Sequence, residues 1–187
     1  VQRGIPIHCC LNNHLDVSCE ARRNSACNDR IVKQMSQTKG LRRKGRVLAF
    51  QVLYGLSFVP PHGGWSCERI YNQSPAVTRE TEEDLILYAR ELLLGIWSSQ
   101  EELDEVIGRY SKHWKIERIA KVELAILRLA AYELIYKADI PLKVGINEAI
   151  ELAKKFGDGN SRNFINGILD AVARDIDTGK FKITKKF

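Results

Sequence analysis

The sequence predicts an all-α protein of about seven helices. Three observations carry that prediction. From residue 39 onward apolar residues recur three and four apart, the spacing of one helix face. Strand-like alternation and repeats of 20–50 residues are absent. Proline, glycine and capping residues fall between the periodic segments, where helices should stop and start.

The elements follow in order. The first helix runs from about Lys39 to Ser57 and buries Val47, Phe50, Leu53 and Tyr54. A long loop with Pro60, Pro61, Gly63 and Gly64 comes next. The second helix starts near Thr81, where Asp84 supports its N-terminus, and its stripe is Leu85, Tyr88, Ala89, Leu92 and Ile96. Ser99 with Glu102 reads as a capping box opening a third helix, which carries Leu103, Val106, Ile107 and Tyr110. A short turn holds Trp114 and Ile116. Residues 120–137 are apolar on nearly every side, as expected of a helix at the centre of a bundle. Pro141 breaks that segment. An amphipathic helix follows with Ile146, Ala149, Ile150 and Ala153 inward, Glu151 set to pair with Lys155, and Gly157 as its C′ residue. The last helix begins near Asn160 or Ser161 and buries Phe164, Ile165, Ile168, Leu169 and Val172.

Composition bounds the function. The chain has 187 residues, 44% of them hydrophobic and 28% charged, enough for a buried core. Its formal net charge of +6 hints at a polyanionic partner. No apolar run reaches the roughly 20 residues of a membrane span, and no signal peptide is visible, so the expected location is the cytoplasm. Cys9, Cys10, Cys19 and Cys27 all precede residue 30, with His8 and His14 nearby, but none of them pair as C-x2–4-C, so zinc is not expected. Residues 1–34 lack periodicity, and Met35 is the only methionine. They read as an upstream reading-frame extension or cloning remnant, the alternative being a disordered arm. The expected organisation is therefore an N-terminal extension over 1–38, a helical domain over 39–178 and a basic tail over 179–187.

No catalytic constellation is present: there is no G-x-G-x-x-G, P-loop or H-E-x-x-H, and no cofactor is expected. His62, His113 and Cys67 stand in no recognisable motif. The acids between Glu80 and Glu105 read as a solvated face. The basic stretch is more informative. Between Asp29 and Glu68 every charged residue is Lys or Arg. Lys39, Arg42, Arg43 and Arg46 recur at i, i+3, i+4 and i+7, with Lys44 beside them and Tyr54 two turns on. Cations at a helix start oppose the helix dipole. Guanidinium groups suit phosphate oxygens, and an adjacent ring can stack an unpaired base. The same pattern also fits a solubilising basic N-terminus.

RRKGRVLAFQVLYGL resembles the first helix of the NusB family. VELAILRLAAYELIY, IPLKVGINEAIELAKKFG and SRNFINGILDAVA resemble later family segments in the same order, so the likeness covers about residues 40–176. It implies two helical subbundles and a non-enzymatic RNA-binding transcription antitermination factor. The implied partners are single-stranded boxA-like RNA of ribosomal transcripts, the small-subunit ribosomal protein NusE and, indirectly, the elongating RNA polymerase. The family's arginine-rich start maps onto Arg42, Arg43, Lys44 and Arg46, its tyrosine onto Tyr54, and a second RNA-facing patch onto Asn160, Ser161, Arg162 and Phe164. NusE would dock near Glu123. Gly45 interrupts the arginine stretch and is expected to loosen the first turn. Two alternatives remain at this level: the NusB-like domain of a ribosomal RNA cytosine methyltransferase, and a homodimeric adaptor that hides the arginine face.

Overall fold

Helix α1 spans residues 40–56 and turns its apolar side inward: Leu48, Ala49, Phe50, Val52, Leu53 and Leu56 are buried. The structure is a computed structural model that describes residues 40–58, 66–111 and 115–180. Seven more helices follow: α2 (Cys67–Gln73), α3 (Pro75–Thr78), α4 (Glu83–Ser98), α5 (Gln100–Tyr110), α6 (Lys121–Tyr136), α7 (Leu142–Phe156) and α8 (Ser161–Asp177), with a 3₁₀ turn at Ile116–Arg118. No strand occurs among the described residues. The cysteines before residue 30, Lys39, the Pro60–Gly64 loop, His113 and Trp114 lie outside the described residues.

Helix α6 is the common element of the fold. It packs against α4, α5, α7 and α8, and residues from Ala125 to Ile135 are buried almost without interruption, as its uniformly apolar sequence requires. Helices α7 and α8 pack on it and on each other, with α5 against α6 and α8. On the other side α2 packs on α3 and α4, and α1 approaches α4 at Gly45. The two groups of helices are the subbundles expected from the family likeness. Fully buried Phe50, Leu53, Leu85, Leu92, Leu93, Ile96, Leu103, Ile107, Ile126, Leu127 and Leu129 join in one core. Each such side chain contributes about 1.5–3 kcal/mol through burial.

Several local expectations need correction. The stretch read as one long loop contains α2 and α3. Ser66 caps α2 by accepting the Arg69 N–H at 3.2 Å. Tyr71, fully buried, donates its hydroxyl to the Ile86 carbonyl at 2.6 Å and so pins α2 to α4. These helices of seven and four residues are too short to show periodicity. The capping box at Ser99 does not form: Ser99 makes no side-chain cap, and Glu102 instead accepts the Tyr136 hydroxyl at 2.6 Å. Ser99 also terminates α4 through its own N–H to the Gly95 carbonyl, so it is shared between two helices. Glu151 pairs with Lys154 at 2.6 Å rather than with Lys155. Gly157 ends α7 in extended backbone, so no left-handed cap operates. Glycine is needed there for space, because a methyl group would lie 2.7 Å from Ser161 Cβ and 2.8 Å from the Ala153 carbonyl. Gly45 likewise has a packing role: it is buried, and a methyl there would meet Tyr88 Cδ1 at 2.6 Å. It is a point of close approach between α1 and α4.

Candidate nucleic-acid interface

Four cations of α1 open the first turns of the helix, and the structure sorts them into two kinds. Arg42, Arg43 and Lys44 reach the surface. Each meets an acid from another element: Arg42 pairs with Asp139 at 2.9 Å, Arg43 with Glu151 at 3.2 Å and Glu148 at 3.5 Å, and Lys44 with Glu82 at 3.6 Å. Exposed pairs of this kind contribute little, typically about 0–1 kcal/mol, so these side chains remain available to other anions.

Arg46 departs from the expectation of an exposed contact. It is 4% exposed. Its Nε donates to both carboxylate oxygens of Glu133, at 2.8 and 2.9 Å. Glu133 is itself 1% exposed and also accepts the Tyr88 hydroxyl at 2.9 Å. Glu148 lies 3.6 Å from the Arg46 guanidinium and 3.5 Å from that of Arg43, so it joins the buried cation to the exposed one. Burial disfavours the charge on Arg46, but Glu133, with Tyr88 and Glu148, outweighs it and holds the pKa above its ordinary value. The Tyr88 hydroxyl is pushed up as well, by burial first and by the Glu133 charge second. The i+7 spacing alone does not reveal that Arg46 turns inward. An acid in the middle of the apolar α6 sequence, Glu133, was the available signal, because a buried carboxylate needs a partner.

A groove of about 420 Å³ runs between α1 and α7. Arg43, Lys44 and Arg46 line one side, Glu148, Glu151, Lys154 and Lys155 the other, with Val47 and Leu152 as its apolar part. The sequence marks Lys155 only as a partner for Glu151 and gives Lys154 no role. Both lie in the last turn of α7, where cations suit the helix dipole.

Tyr54 is half-buried. Its ring stacks on Phe50 with centroids 6.0 Å apart and meets Phe58 edge-on at 4.9 Å. Phe50 in turn lies 4.6 Å from Phe156, at the end of α7, and Lys155 sits over that ring at 5.1 Å. An aromatic column thus leads from the surface of α1 toward the loop that opens α8. In that loop Asn160 and Arg162 are exposed, and no ion pair forms at Arg162 among the described residues. Phe164 is half-buried against the core.

Ser161 and Glu123, expected to face RNA and NusE respectively, are joined to each other. The Ser161 hydroxyl is 2.9 Å from Glu123 Oε1 and 2.9 Å from Asp158 Oδ1, accepts the Asp158 N–H at 3.0 Å, and the residue is 2% exposed. Asp158 accepts the N–H groups of Asn160 and Ser161, both at 2.8 Å, which is the cap expected of Asn160. The hydrogen bonds from Ser161 and those two amides hold the Asp158 carboxyl below its ordinary pKa. This cluster fixes the start of α8 against the start of α6.

Among the described residues there is no group of His, Cys, Asp or Glu able to hold a metal ion, and no helix is long and apolar enough to cross a membrane.

Comparison with known proteins places this geometry. The NusB family model matches residues 43–174. The transcription antitermination protein NusB of Oleidesulfovibrio alaskensis is 53% identical over 139 residues, 74% of this chain and 90% of that protein. NusB of Carboxydothermus hydrogenoformans is 43% identical over 136 residues, covering 73% and 94%. Among solved structures, T. maritima NusB superposes with a TM-score of 0.64 at 33% identity, over 75% of this chain and 97% of that one. A complex of antitermination factors NusB and NusE with double-stranded RNA aligns with a TM-score of 0.61 at 30% identity, over 72% and 96%. With a family model spanning most of the chain and relatives this similar covered almost end to end, the chain belongs to the NusB family.

Proposed function

We propose that this protein is an RNA-binding transcription antitermination factor without catalytic activity, which binds boxA-like single-stranded RNA together with the ribosomal protein NusE and acts on the elongating polymerase through that complex. The observation that carries the reading is the surface cluster of Arg42, Arg43 and Lys44, continued across the α1–α7 groove by Lys154 and Lys155. Guanidinium and ammonium groups so gathered match the spaced charges of a nucleic acid backbone. The names of the relatives and the NusB–NusE–RNA complex support the same class, and favour it over a methyltransferase domain or a homodimeric adaptor. Arg42, Arg43 and Lys44, with Lys39 before them, contact phosphates; Tyr54 offers a ring to a base. Asn160, Arg162 and Phe164 form the second RNA-facing patch. Arg46 and Ser161 hold these surfaces in place from beneath. Glu123 supports a NusE surface through the start of α6.

The test is titration of a boxA-like RNA with the purified protein, with and without NusE. Salt-dependent binding that tightens when NusE is added is expected. Binding that ignores salt and NusE, or none at all, overturns the reading.

A further inference from the structure

Tyr88 of α4 touches the arginine turn in three ways, although it carries no charge and belongs to no recognised motif. Its ring edge fills the space left by Gly45, where a methyl group would lie 2.6 Å from Cδ1. Its ring face lies under the Arg42 guanidinium, 5.9 Å from centroid to Cζ. Its hydroxyl donates to Glu133 Oε1 at 2.9 Å. The same oxygen takes the Arg46 Nε–H at 2.8 Å, and Arg46 reaches Glu148, which reaches Arg43. Two neighbouring surface arginines are therefore tied back to one phenol, by separate routes. The ring supports Arg42. The hydroxyl supports Arg43 through Glu133, Arg46 and Glu148.

We propose that Tyr88 is a positioning residue for RNA binding, which orders Arg42 through its ring and Arg43 through its hydroxyl before the phosphates arrive. The proposal rests on the reading of Arg42 and Arg43 as phosphate contacts. Free arginine side chains lose much rotamer freedom when they bind, and ordering them in advance removes part of that loss. Buried ion pairs are weak contributors to stability compared with apolar residues of the same volume. A buried Arg46–Glu133 pair completed by a tyrosine hydroxyl is therefore better accounted for by the geometry it imposes on α1. The hydroxyl adds a further donor to the Glu133 carboxylate and limits the orientations open to it.

The experiment compares Tyr88→Phe in three backgrounds: the otherwise unchanged protein, Arg42→Ala and Arg43→Ala. Phenylalanine keeps the ring over which Arg42 lies and the packing on Gly45, and removes the hydroxyl alone. RNA affinity is read across a salt series, and folding by far-UV circular dichroism and urea midpoint. Tyr88→Phe is expected to weaken binding by about threefold to tenfold alone and in Arg42→Ala, and by less than about twofold in Arg43→Ala, where the hydroxyl route ends in no cation. Because no phosphate-binding group is removed, the log–log salt slope should stay unchanged, whereas each Arg→Ala change lowers it by about 0.7. Equal losses in both arginine backgrounds, or no loss in any, overturn the positioning role. If Arg42→Ala and Arg43→Ala leave affinity and slope untouched, the RNA reading itself fails and takes this proposal with it.

Discussion

Arg46 on α1 and Glu133 on α6 are 87 residues apart in sequence and meet at 2.8 Å with almost no access to water. An ion pair so placed is asymmetric in its response to mutation. Removing one member leaves a buried charge without its main partner, whereas removing both removes both charges.

Glu133→Leu should accordingly destabilise the protein by about 3–5 kcal/mol, and Arg46→Met by a similar amount, because each leaves a desolvated charge. The double variant should recover most of the loss. Urea unfolding of the three proteins checks this. A double variant as unstable as the sum of the singles would show that each side chain stabilises the fold through neighbours other than its ionic partner.

Replacing Arg42, Arg43 and Lys44 together by Ala should remove most RNA affinity while changing stability by less than about 1 kcal/mol, because all their partners but the half-buried Glu148 are exposed and the cations oppose the helix dipole. The salt slope should fall by about 0.7 for each phosphate no longer neutralised. Extending the change to Arg46 should, by contrast, destabilise the fold. Filter binding and thermal melts read the two effects separately.

Tyr54→Phe should preserve stability and most RNA affinity, since the ring packing against Phe50 and Phe58 remains. Tyr54→Ala should weaken RNA binding by about 1–3 kcal/mol if a base stacks there. It also opens space beside Phe50, so the melting temperature will fall. Binding measured well below that temperature distinguishes the absence of stacking from the absence of fold.

Alkaline stability should decline from about pH 9 upward, where the first of two buried groups begins to titrate in the unfolded chain. Burial pushes the Cys67 thiol up to about 11 and the Tyr71 hydroxyl up to about 12. Both folded values lie above the unfolded ones, so the stabilisation is complete below the unfolded pKa and disappears as pH rises through the folded one. Cys67→Ala should reduce the pH dependence that begins near pH 9 and leave the Tyr71 portion, which begins about a unit higher. Urea midpoints followed from neutral into strongly alkaline buffer provide the measurement.

At the acid end the sign reverses for Asp158. Its carboxyl is held below the ordinary range, so its contribution is present above the unfolded pKa and disappears as pH falls through the folded value. Asp158→Asn should reduce that acid dependence and loosen the start of α8, seen as faster amide exchange at Asn160 and Ser161.

The helices with long apolar stripes were legible in the sequence because periodicity reports burial directly: α4, α5, α6, α7 and α8 all begin and end close to where the pattern places them. Helices α2 and α3 were not, because a seven-residue and a four-residue helix hold too few turns to show a period. The candidate site was legible as composition and misleading as geometry. Helical spacing put Arg46 with Arg42 and Arg43, yet the face it shares with them curves into the interior once α6 supplies Glu133. Ser161 and Glu123 are 38 residues apart, and nothing local in either segment announces their hydrogen bond. Long-range polar pairs of this kind depend on the packed fold, and sequence periodicity does not encode them.

The two carboxylates that hold Arg43 each have a second cation. Glu148 also lies against Arg46, and Glu151 also holds Lys154. Loss of Arg43 alone therefore strands neither acid, and a cation remains beside each carboxylate of the α1–α7 seam.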